Sequence, residues 1–470
     1  MLYYGLLRIN KVKAARVSLI IMSLWFYGYF QWSYLLILVG SILFNYVISR
    51  LFFRASGPKG NKLLLTVGIV ANLAIIFYFK YFNFLIQNLA IVFRRQESVY
   101  LDILMPLGIS FFTFQQISYL VDSYRGETKD YTFIEYMLFV LFFPQLVAGP
   151  IVLHDEMIPQ FRDPKRRHID ADRFAKGLWQ FAIGLAKKVL IADVLANGVN
   201  WGYANVASLG ALDSLVVSLL FCLQLYFDFS GYCDMACGIA GMFGFELPIN
   251  FNSPYKSLSI VEFWQRWHIT LSRFLRKYIY FPLGGSRKGK SRTYWNIFIV
   301  FLLSGIWHGA NWTYILWGVC HGIANILNRL FEKIWNKLPK IIRWSINFLV
   351  VDMLWILFRA ENLTQAGQMY LNLFKPWKLS LSEGLMQQFE VLEFSYIVEH
   401  VPALTNFVNT YPATYLLIYF VISFGIVLGL KNSHEKPFVP TKRNAFSTIV
   451  LLVWSVVSLS GLSTFLYFNF

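Results

Sequence analysis

Residues 294–331 read YWNIFIVFLLSGIWHGANWTYILWGVCHGIANILNRLF, two apolar runs joined by a short segment of small and polar residues. A transmembrane helix uses about 20 apolar residues, so the runs at 294–306 and 312–331 predict two membrane spans. Similar runs recur along the chain and predict an all-α, polytopic transmembrane bundle of about eleven spans. The other predicted spans are 17–32, 33–53, 64–92, 101–121, 133–153, 213–245, 342–358, 413–429 and 446–467.

The composition excludes an ordinary soluble enzyme. Of the 470 residues, 57% are apolar and 14% are charged, whereas a soluble domain carries roughly a quarter of charged residues. The chain has room for on the order of ten spans with short loops, and none for a large separate soluble domain. We therefore treat residues 1–470 as a single transmembrane domain. Its start lacks the pattern of a removable signal peptide.

Basic side chains give the chain a formal net charge of +17. Cytoplasmic loops of polytopic membrane proteins collect Lys and Arg, so this charge does not indicate nucleic acid as a partner. Four basic stretches, 54–62, 162–176, 256–292 and 431–443, are assigned to the cytoplasmic side. The third predicts binding of either anionic membrane lipid or an anionic substrate. Its basic residues are Lys256, Arg266, Arg273, Arg276, Lys277, Arg287, Lys288, Lys290 and Arg292.

Two stretches predict amphipathic or re-entrant helices instead of spans. Residues 257–285 place apolar and basic side chains on opposite faces, which predicts one helix that lies in the membrane interface or dips below it. The stretch 174–196 is the second candidate. Further on, the polar segment 375–412 predicts the longest loop, an extracytoplasmic cap, within a C-terminal region of loop and last spans at 361–470.

Three histidines, His268, His308 and His321, lie in or beside apolar sequence, where ionisable groups are costly and indicate function. Small residues in the segment 304–310 surround His308 and allow close approach, which predicts a narrow, water-poor passage with an imidazole facing into it. Such an imidazole can accept a proton from a hydroxyl group, as acyl transfer to an alcohol requires. A histidine that is hydrogen-bonded between packed helices is the alternative, with equal weight.

The histidine spacing argues against a metal site. His308 and His321 are too far apart in sequence to form an i, i+4 pair on one helix face, and the chain has no H-x-x-x-H or H-E-x-x-H pattern. We therefore predict no metal.

Two acidic residues, Asp228 and Asp234, lie in the apolar stretch 224–251, QLYFDFSGYCDMACGIAGMFGFELPINF. They predict either a polar passage or a partner that orients an imidazole. Hydrogen bonding between helices, which holds a membrane bundle together, is the favoured alternative.

A group of glycines and a group of tryptophans predict helix packing rather than chemistry. Small residues allow helices to approach closely, and large indoles fill cores and membrane interfaces. The glycines are Gly238, Gly241 and Gly244, and the tryptophans are Trp264, Trp267, Trp307, Trp312 and Trp317.

Five ordered motifs occur between residues 105 and 322. They are MPLGISFFTFQQISYLVDSYRG (105–126), FFPQLVAGPI (142–151), QLYFDFSGYCDMACGIAGMFGF (224–245), NFNSPYKSLSIVEFWQRWHITLSRFLRKYIYFPLGGSRKG (250–289) and GIWHGANWTYILWGVCHG (305–322). Together they resemble the membrane-bound O-acyltransferase family, and within it the branch of alginate O-acetyltransferase membrane subunits. The resemblance covers about residues 17–360. Members of this branch usually begin with a further apolar segment upstream of the L-Y-Y-x-L pattern, so the resemblance predicts either that Met1 lies inside a longer gene product or that the first span is missing.

The resemblance implies a helical bundle around a central tunnel where a cytoplasmic donor and an extracytoplasmic acceptor meet. It places the family's catalytic histidine on His308 in the W-H-G motif and its second histidine on His268 in the R-W-H motif. His321 matches only the less specific H-G that follows and is a supporting residue, and Asp228 and Asp234 are supporting candidates from the sequence pattern alone. The donor implied is a phosphate-bearing thioester such as acetyl-CoA, with no further cofactor. Its predicted contacts are Arg266, Arg273, Arg276 and Lys277.

The implied function is acetyl transfer across the bacterial inner membrane by a multi-pass enzyme, for O-acetylation of a cell-surface polysaccharide. The implied partner outside the membrane is an SGNH-type acetyltransferase. The final glycan stays open between alginate, peptidoglycan, cellulose and others. Two alternatives remain: D-alanyl transfer to teichoic acid from an acyl carrier protein, and transport of a lipid-linked sugar with histidines as proton relays.

Overall fold

The structure is a computed structural model that describes residues 2–54, 58–95, 100–435, 438–459 and 465–466. Within these ranges the chain is helical and contains no strand, as the all-α prediction requires. The contacts divide it into two compact units. The first comprises Met1–Phe181 and Met235–Pro248, and the second comprises Ala182–Asp234 and Ile249–Phe470.

The first unit is built from the N-terminal helices. A π-helical segment, Phe77–Tyr81, joins the fourth and fifth helices into one continuous helix, Lys59–Val92, as the predicted span at 64–92 requires. The helices are α1 (Leu2–Arg8), α2 (Val12–Phe30), α3 (Trp32–Leu51), α4 (Pro58–Ile76), α5 (Phe82–Val92), α6 (Ile109–Tyr124), α7 (Phe133–Leu141), α8 (Phe143–Leu146), α9 (His154–Arg162) and the start of α10 (Ala171–Ala186).

Buried amides hold three of these helices together. Asn45 on α3 donates to the side-chain oxygens of Gln116 on α6, at 2.6 Å, and of Asn72 on α4, at 3.1 Å. Gln116 in turn donates to the hydroxyl of Ser41 at 3.1 Å. Interhelical hydrogen bonds of this kind replace the hydrophobic driving force that is missing between helices in lipid.

The second unit contains the remaining helices and most of the candidate site. A π-helical segment, Lys187–Ala192, connects α10 to the next helix. The helices are α11 (Asp193–Ala204), α12 (Ala211–Met242, whose last turns count with the first unit), α13 (Ile260–Arg266), α14 (Ile269–Leu275), α15 (Gly289–His308), α16 (Trp312–Leu330), α17 (Glu332–Trp335), α18 (Lys340–Arg359), α19 (Leu363–Asn372), α20 (Glu383–Gln387), α21 (Leu392–Glu399), α22 (Pro402–Thr410), α23 (Thr414–Phe424) and α24 (Lys442–Val457).

Several helices are suited to cross a membrane. By length and composition, four of the described helices qualify, and a fifth span is possible if α22 and α23, which meet at a bend of 90°, count as one. The chain is therefore a multi-pass membrane protein. The four helices are Trp32–Leu51, Lys59–Val92, Ala211–Met242 and Lys340–Arg359. The count of about eleven spans and the central tunnel stay predictions.

Glycines permit close helix contacts at two places. In the first unit a Cβ added to Gly238 would lie 2.6 Å from the carbonyl oxygen of Gly177, so α10 and α12 touch through their backbones. In the second unit a Cβ on Gly318 would lie 2.9 Å from Cα of Gly305, which joins α16 to α15 in the same way. Close packing at Gly238 is thus confirmed, whereas Gly244 lies beyond α12 with a φ of +85°.

The structure corrects two local predictions and covers part of a third. The single helix predicted in 257–285 is broken into α13 and α14, because the backbone at His268 adopts the left-handed conformation with a φ of 45°. The predicted loop 375–412 contains the helices α20, α21 and α22. The last predicted span, 446–467, overlaps α24, while its residues 460–464 and 467 lie outside the described residues.

Candidate active site

The site is organised around the break between α13 and α14. Each of these helices has seven residues, too few to cross a membrane. The loop segment 250–252 braces the break: the backbone N–H of Asn252 donates to the carbonyl oxygen of Arg266 at 2.9 Å, and the backbone N–H of Ile269 donates to the carbonyl oxygen of Asn250 at 3.0 Å. A left-handed non-glycine residue persists only where its surroundings fix it. These bonds fix His268.

The side chain of His268 is fully buried at 0% exposure. Its Nδ1 lies 3.1 Å from Oδ1 of Asn250, and the same oxygen accepts hydrogen bonds from the backbone N–H and the hydroxyl of Thr270. The ring of Phe229 on α12 contacts the imidazole edge-on, with centroids 4.9 Å apart. Burial lowers the pKa of His268 to about 3, so the ring is uncharged at neutral pH.

His308 ends α15 and lies beside His268, with the two ring centroids 6.4 Å apart. That distance is too long for a direct hydrogen bond between ring nitrogens. The imidazole is 3% exposed and is packed against Trp317, at 5.1 Å, and Phe358, at 5.2 Å. The structure therefore brings the two histidines of the predicted catalytic pair together in a water-poor aromatic enclosure.

His321 on α16 belongs to the same aromatic cluster. Its ring lies 4.7 Å from Trp317, which also contacts His308. The indole N–H of Trp264 donates to Nδ1 of His321 at 3.2 Å. The interpretation of Trp264 as a packing residue therefore misses a hydrogen bond that fixes the orientation of a site histidine.

Each of the two acidic residues of α12 bonds to a lysine. Asp234 accepts a hydrogen bond from Lys187 at 2.7 Å, and Asp228 accepts one from Lys188 at 2.6 Å. The π-helical segment that begins at Lys187 supplies both lysines. A buried ion pair of this kind is costly to break because one charge is then left alone. These contacts favour the interhelical alternative of the sequence analysis.

The C-terminal region completes both ion pairs. The hydroxyl of Ser433 donates to Asp234 at 2.7 Å, and Nε2 of His434 lies 3.2 Å from the same carboxylate. The backbone N–H of Leu466 donates to Asp228 at 3.1 Å. Residues that the sequence assigns to a basic loop and to a last span thus contribute to the polar core of the second unit.

The four predicted donor-binding residues lie on α13, on α14 and just beyond it. Arg266 is half-buried, pairs with Glu262 at 2.9 Å and donates to the backbone oxygen of Asn252 at 3.1 Å. It therefore also supports the brace at His268. The remaining three are Arg273, which is half-buried, and Arg276 and Lys277, which lie over the rings of Phe281 and Tyr278. Their role toward a donor stays a prediction.

One group of side chains in the first unit has distances that suit a metal ion. Ligand atoms of Asp122, Glu127 and His154 lie within 4.8 Å of one another. His154, however, already bonds to Asp122 at 3.1 Å and to the hydroxyl of Tyr131 at 3.2 Å, and Arg125 pairs with Asp122. The distances between the ligand atoms are therefore the one observation that supports a metal site at these three residues.

Sequence reasoning missed Asn250, Lys187 and Lys188 as parts of the site. The pairing of the two lysines could have been predicted from the sequence. Consecutive basic residues inside an apolar stretch need acidic partners, and the acidic residues of α12 are available. Nothing in the sequence indicated a role for Asn250, since an asparagine after a helix is an ordinary loop residue.

The fold and the buried imidazoles together define a polytopic membrane protein whose interior can carry out acid–base chemistry. A sequence model of the membrane-bound O-acyltransferase family matches residues 26–364, and the chain belongs to this family. It is therefore an O-acyltransferase.

Several relatives within the family are O-acetylases or O-acetyltransferases. The peptidoglycan O-acetyltransferase of Helicobacter pylori is 43% identical over 75% of this chain and 72% of its own length. The probable alginate O-acetylase AlgI of Pseudomonas putida is 37% identical over 100% of this chain and 97% of its own length. The teichoic acid D-alanyltransferase of Bacillus subtilis is more distant, at 30% identity over 51% of this chain and 63% of its own length.

Proposed function

We propose that this enzyme moves an acetyl group from a cytoplasmic thioester, such as acetyl-CoA, across the bacterial inner membrane for O-acetylation of a cell-surface polysaccharide. An SGNH-type acetyltransferase outside the membrane receives the acetyl group and passes it to the glycan. The O-acetylase relatives at 37% and 43% identity support the choice of group.

His308 and His268 carry the chemistry in this proposal. His308 accepts the proton of the acceptor hydroxyl while that oxygen attacks the thioester carbonyl. The C–S bond then breaks, and the leaving thiolate takes the proton. His268 assists by orienting the reacting groups with a hydrogen bond.

The single observation that supports this assignment most is the burial of both rings side by side, at 3% and 0% exposure with centroids 6.4 Å apart. The two rings are too far apart for a direct hydrogen bond between their nitrogens, so neither ring occupies the other as a partner in this way. Exclusion of water also favours transfer over hydrolysis of the donor, because a buried site prevents that side reaction.

The test is acetyl-CoA turnover by the purified protein in liposomes, with and without candidate extracytoplasmic partners. We expect His308→Ala to lower turnover by about 100-fold or more, which is the usual share of a general base. His400→Ala is the matched control, because it removes an exposed imidazole from the end of α21 and should leave turnover unchanged. Folded yield is compared by size-exclusion chromatography and thermal unfolding.

Two outcomes would overturn the proposal. Turnover only with a D-alanyl carrier-protein thioester would place the chain with the teichoic acid enzymes. Movement of a lipid-linked sugar without thioester consumption would indicate a transporter.

A further inference from the structure

Asn250 connects the backbone brace to the ring of His268. The residue is 1% exposed, and its side-chain oxygen accepts from two groups of Thr270 while lying 3.1 Å from Nδ1 of His268. Its amide nitrogen points the other way, toward Sγ of Cys233 at 3.4 Å. The asparagine is thus held at both ends of its amide.

The orientation of this amide follows from its partners. The backbone N–H of Thr270 can only donate, and it lies 3.2 Å from the side-chain oxygen of Asn250. The atom that faces His268 is therefore the oxygen, because the amide nitrogen would meet another donor at that position. Cys233 suits the opposite side, since a sulfur atom accepts a weak hydrogen bond from the amide.

The tautomer of His268 follows in turn. An amide oxygen can only accept, so Nδ1 of His268 must carry a hydrogen and donate it. In the uncharged ring the other nitrogen, Nε2, then bears the lone pair. The charged ring would keep the same bond to Asn250, so Asn250 is compatible with proton uptake at Nε2.

We propose that Asn250 is a positioning residue that holds His268 in the Nδ1–H form, so that Nε2 is the hydrogen-bond acceptor of this ring beside His308. This inference rests on the proposed function for the role of His268 in transfer, but the tautomer itself does not depend on that function. The left-handed backbone at His268, with its φ of 45°, serves the same end because it turns the ring toward the amide at the break between the helices.

The first experiment reads the tautomer directly. Protein with ¹⁵N-labelled histidine is reconstituted in nanodiscs, and the signals of His268 are assigned by comparison with His268→Ala. We expect protonated Nδ1 and unprotonated Nε2 at neutral pH. Protonated Nε2 would overturn the inference even if the enzyme is fully active, and loss of activity in His308→Ala bears only on the proposed function.

The second experiment uses the pH profile of acetyl transfer. In Asn250→Asp the carboxylate can still accept from His268, but its negative charge favours the protonated ring and therefore raises the pKa of His268. His308 is the titratable group facing the ring, and Cys233 lies behind the amide. Since the ring must be uncharged to accept a hydrogen bond, the acidic limb of the profile should move to higher pH.

Asn250→Leu removes the oxygen that accepts from Nδ1 of His268, so either ring nitrogen can then carry the hydrogen. We expect kcat to fall about 10- to 100-fold with little change in KM, as for other residues that orient a functional histidine. Thr270→Val is the matched control, because it removes a hydroxyl that bonds to the same amide oxygen and leaves His268 in place. An Asn250→Asp profile that coincides with those of wild type and Thr270→Val would reduce Asn250 to a structural residue.

Discussion

His268 and His321 are both fully buried, and both make a hydrogen bond through Nδ1, but the two bonds run in opposite directions. At His268 the partner is the oxygen of Asn250, which can only accept. At His321 the partner is the indole N–H of Trp264, which can only donate. The uncharged rings are therefore opposite tautomers.

The chemical consequence falls on Nε2 of each ring. Nε2 of His268 bears a lone pair and can accept a hydrogen bond or a proton, whereas Nε2 of His321 carries a hydrogen and can only donate. Residue type and burial are the same in both places, so the neighbour decides the role. A motif that matches a histidine identifies where an imidazole lies but leaves its role undetermined until its neighbour is known.

The largest expected difference between the two histidines is in turnover. His268→Ala should lower kcat for acetyl transfer about 100-fold, because it removes the accepting nitrogen of the ring that lies next to the ring of His308. His321→Ala should lower kcat less than about tenfold, since Nδ1 of His321 already accepts the indole N–H of Trp264. Turnover in liposomes, normalised to folded protein, measures both. Equal losses of kcat in the two variants would contradict the different roles assigned to the two rings.

The next difference is in stability. His321→Leu keeps most of the volume of the ring but leaves the indole N–H of Trp264 without its acceptor, which should cost about 1–3 kcal/mol of unfolding free energy. His321→Asn retains an acceptor close to the position of Nδ1 and should recover part of that loss. Thermal unfolding in detergent compares the two variants. If both unfold at the same temperature, the bond from Trp264 is not what His321 contributes.

The smallest expected effect comes from the donor side of the same bond. Trp264→Phe preserves an aromatic ring and removes the N–H, and the lost hydrogen bond should account for about 1 kcal/mol of the decrease in unfolding free energy. Trp267→Phe is the matched control, because it shortens a buried indole at the end of the same helix. The difference between the two variants isolates the hydrogen bond from the loss of ring volume. A greater loss for Trp267→Phe would contradict this expectation.

Much of this arrangement could be predicted from the sequence, but its decisive details could not. Helical content, the membrane-length helices and close packing at Gly238 follow from composition and from local spacing. The break at His268 does not, because the apolar spacing of 257–285 continues through it and a left-handed residue leaves no pattern in the sequence. The role of Asn250 could not be predicted for a related reason. Its contact with His268 depends on the backbone hydrogen bonds between residues 250–252 and the break, and these bonds form only in the folded chain.

The predicted spans also differ in what surrounds them. In the most apolar window of Ala211–Met242, 78% of the residues are buried within the protein, compared with 17% for Lys59–Val92. Hydropathy does not separate these two helices, because lipid and a protein core are both apolar. Acidic residues do separate them, since Asp228 and Asp234 lie on the buried helix and need protein partners.

The partners of Asp234 on α12 lie at very different distances along the sequence, which determines when each partner is synthesised. Lys187 and Asp234 lie 47 residues apart in the chain, whereas Ser433 follows Asp234 only after 199 residues. The lysine and the carboxylate are therefore synthesised close together and can enter the bilayer as a neutral pair, which lowers the cost of inserting either charge alone. The hydroxyl of Ser433 bonds to that carboxylate from 199 residues further on, so the polar core of this unit cannot be complete until the C-terminal region has been synthesised.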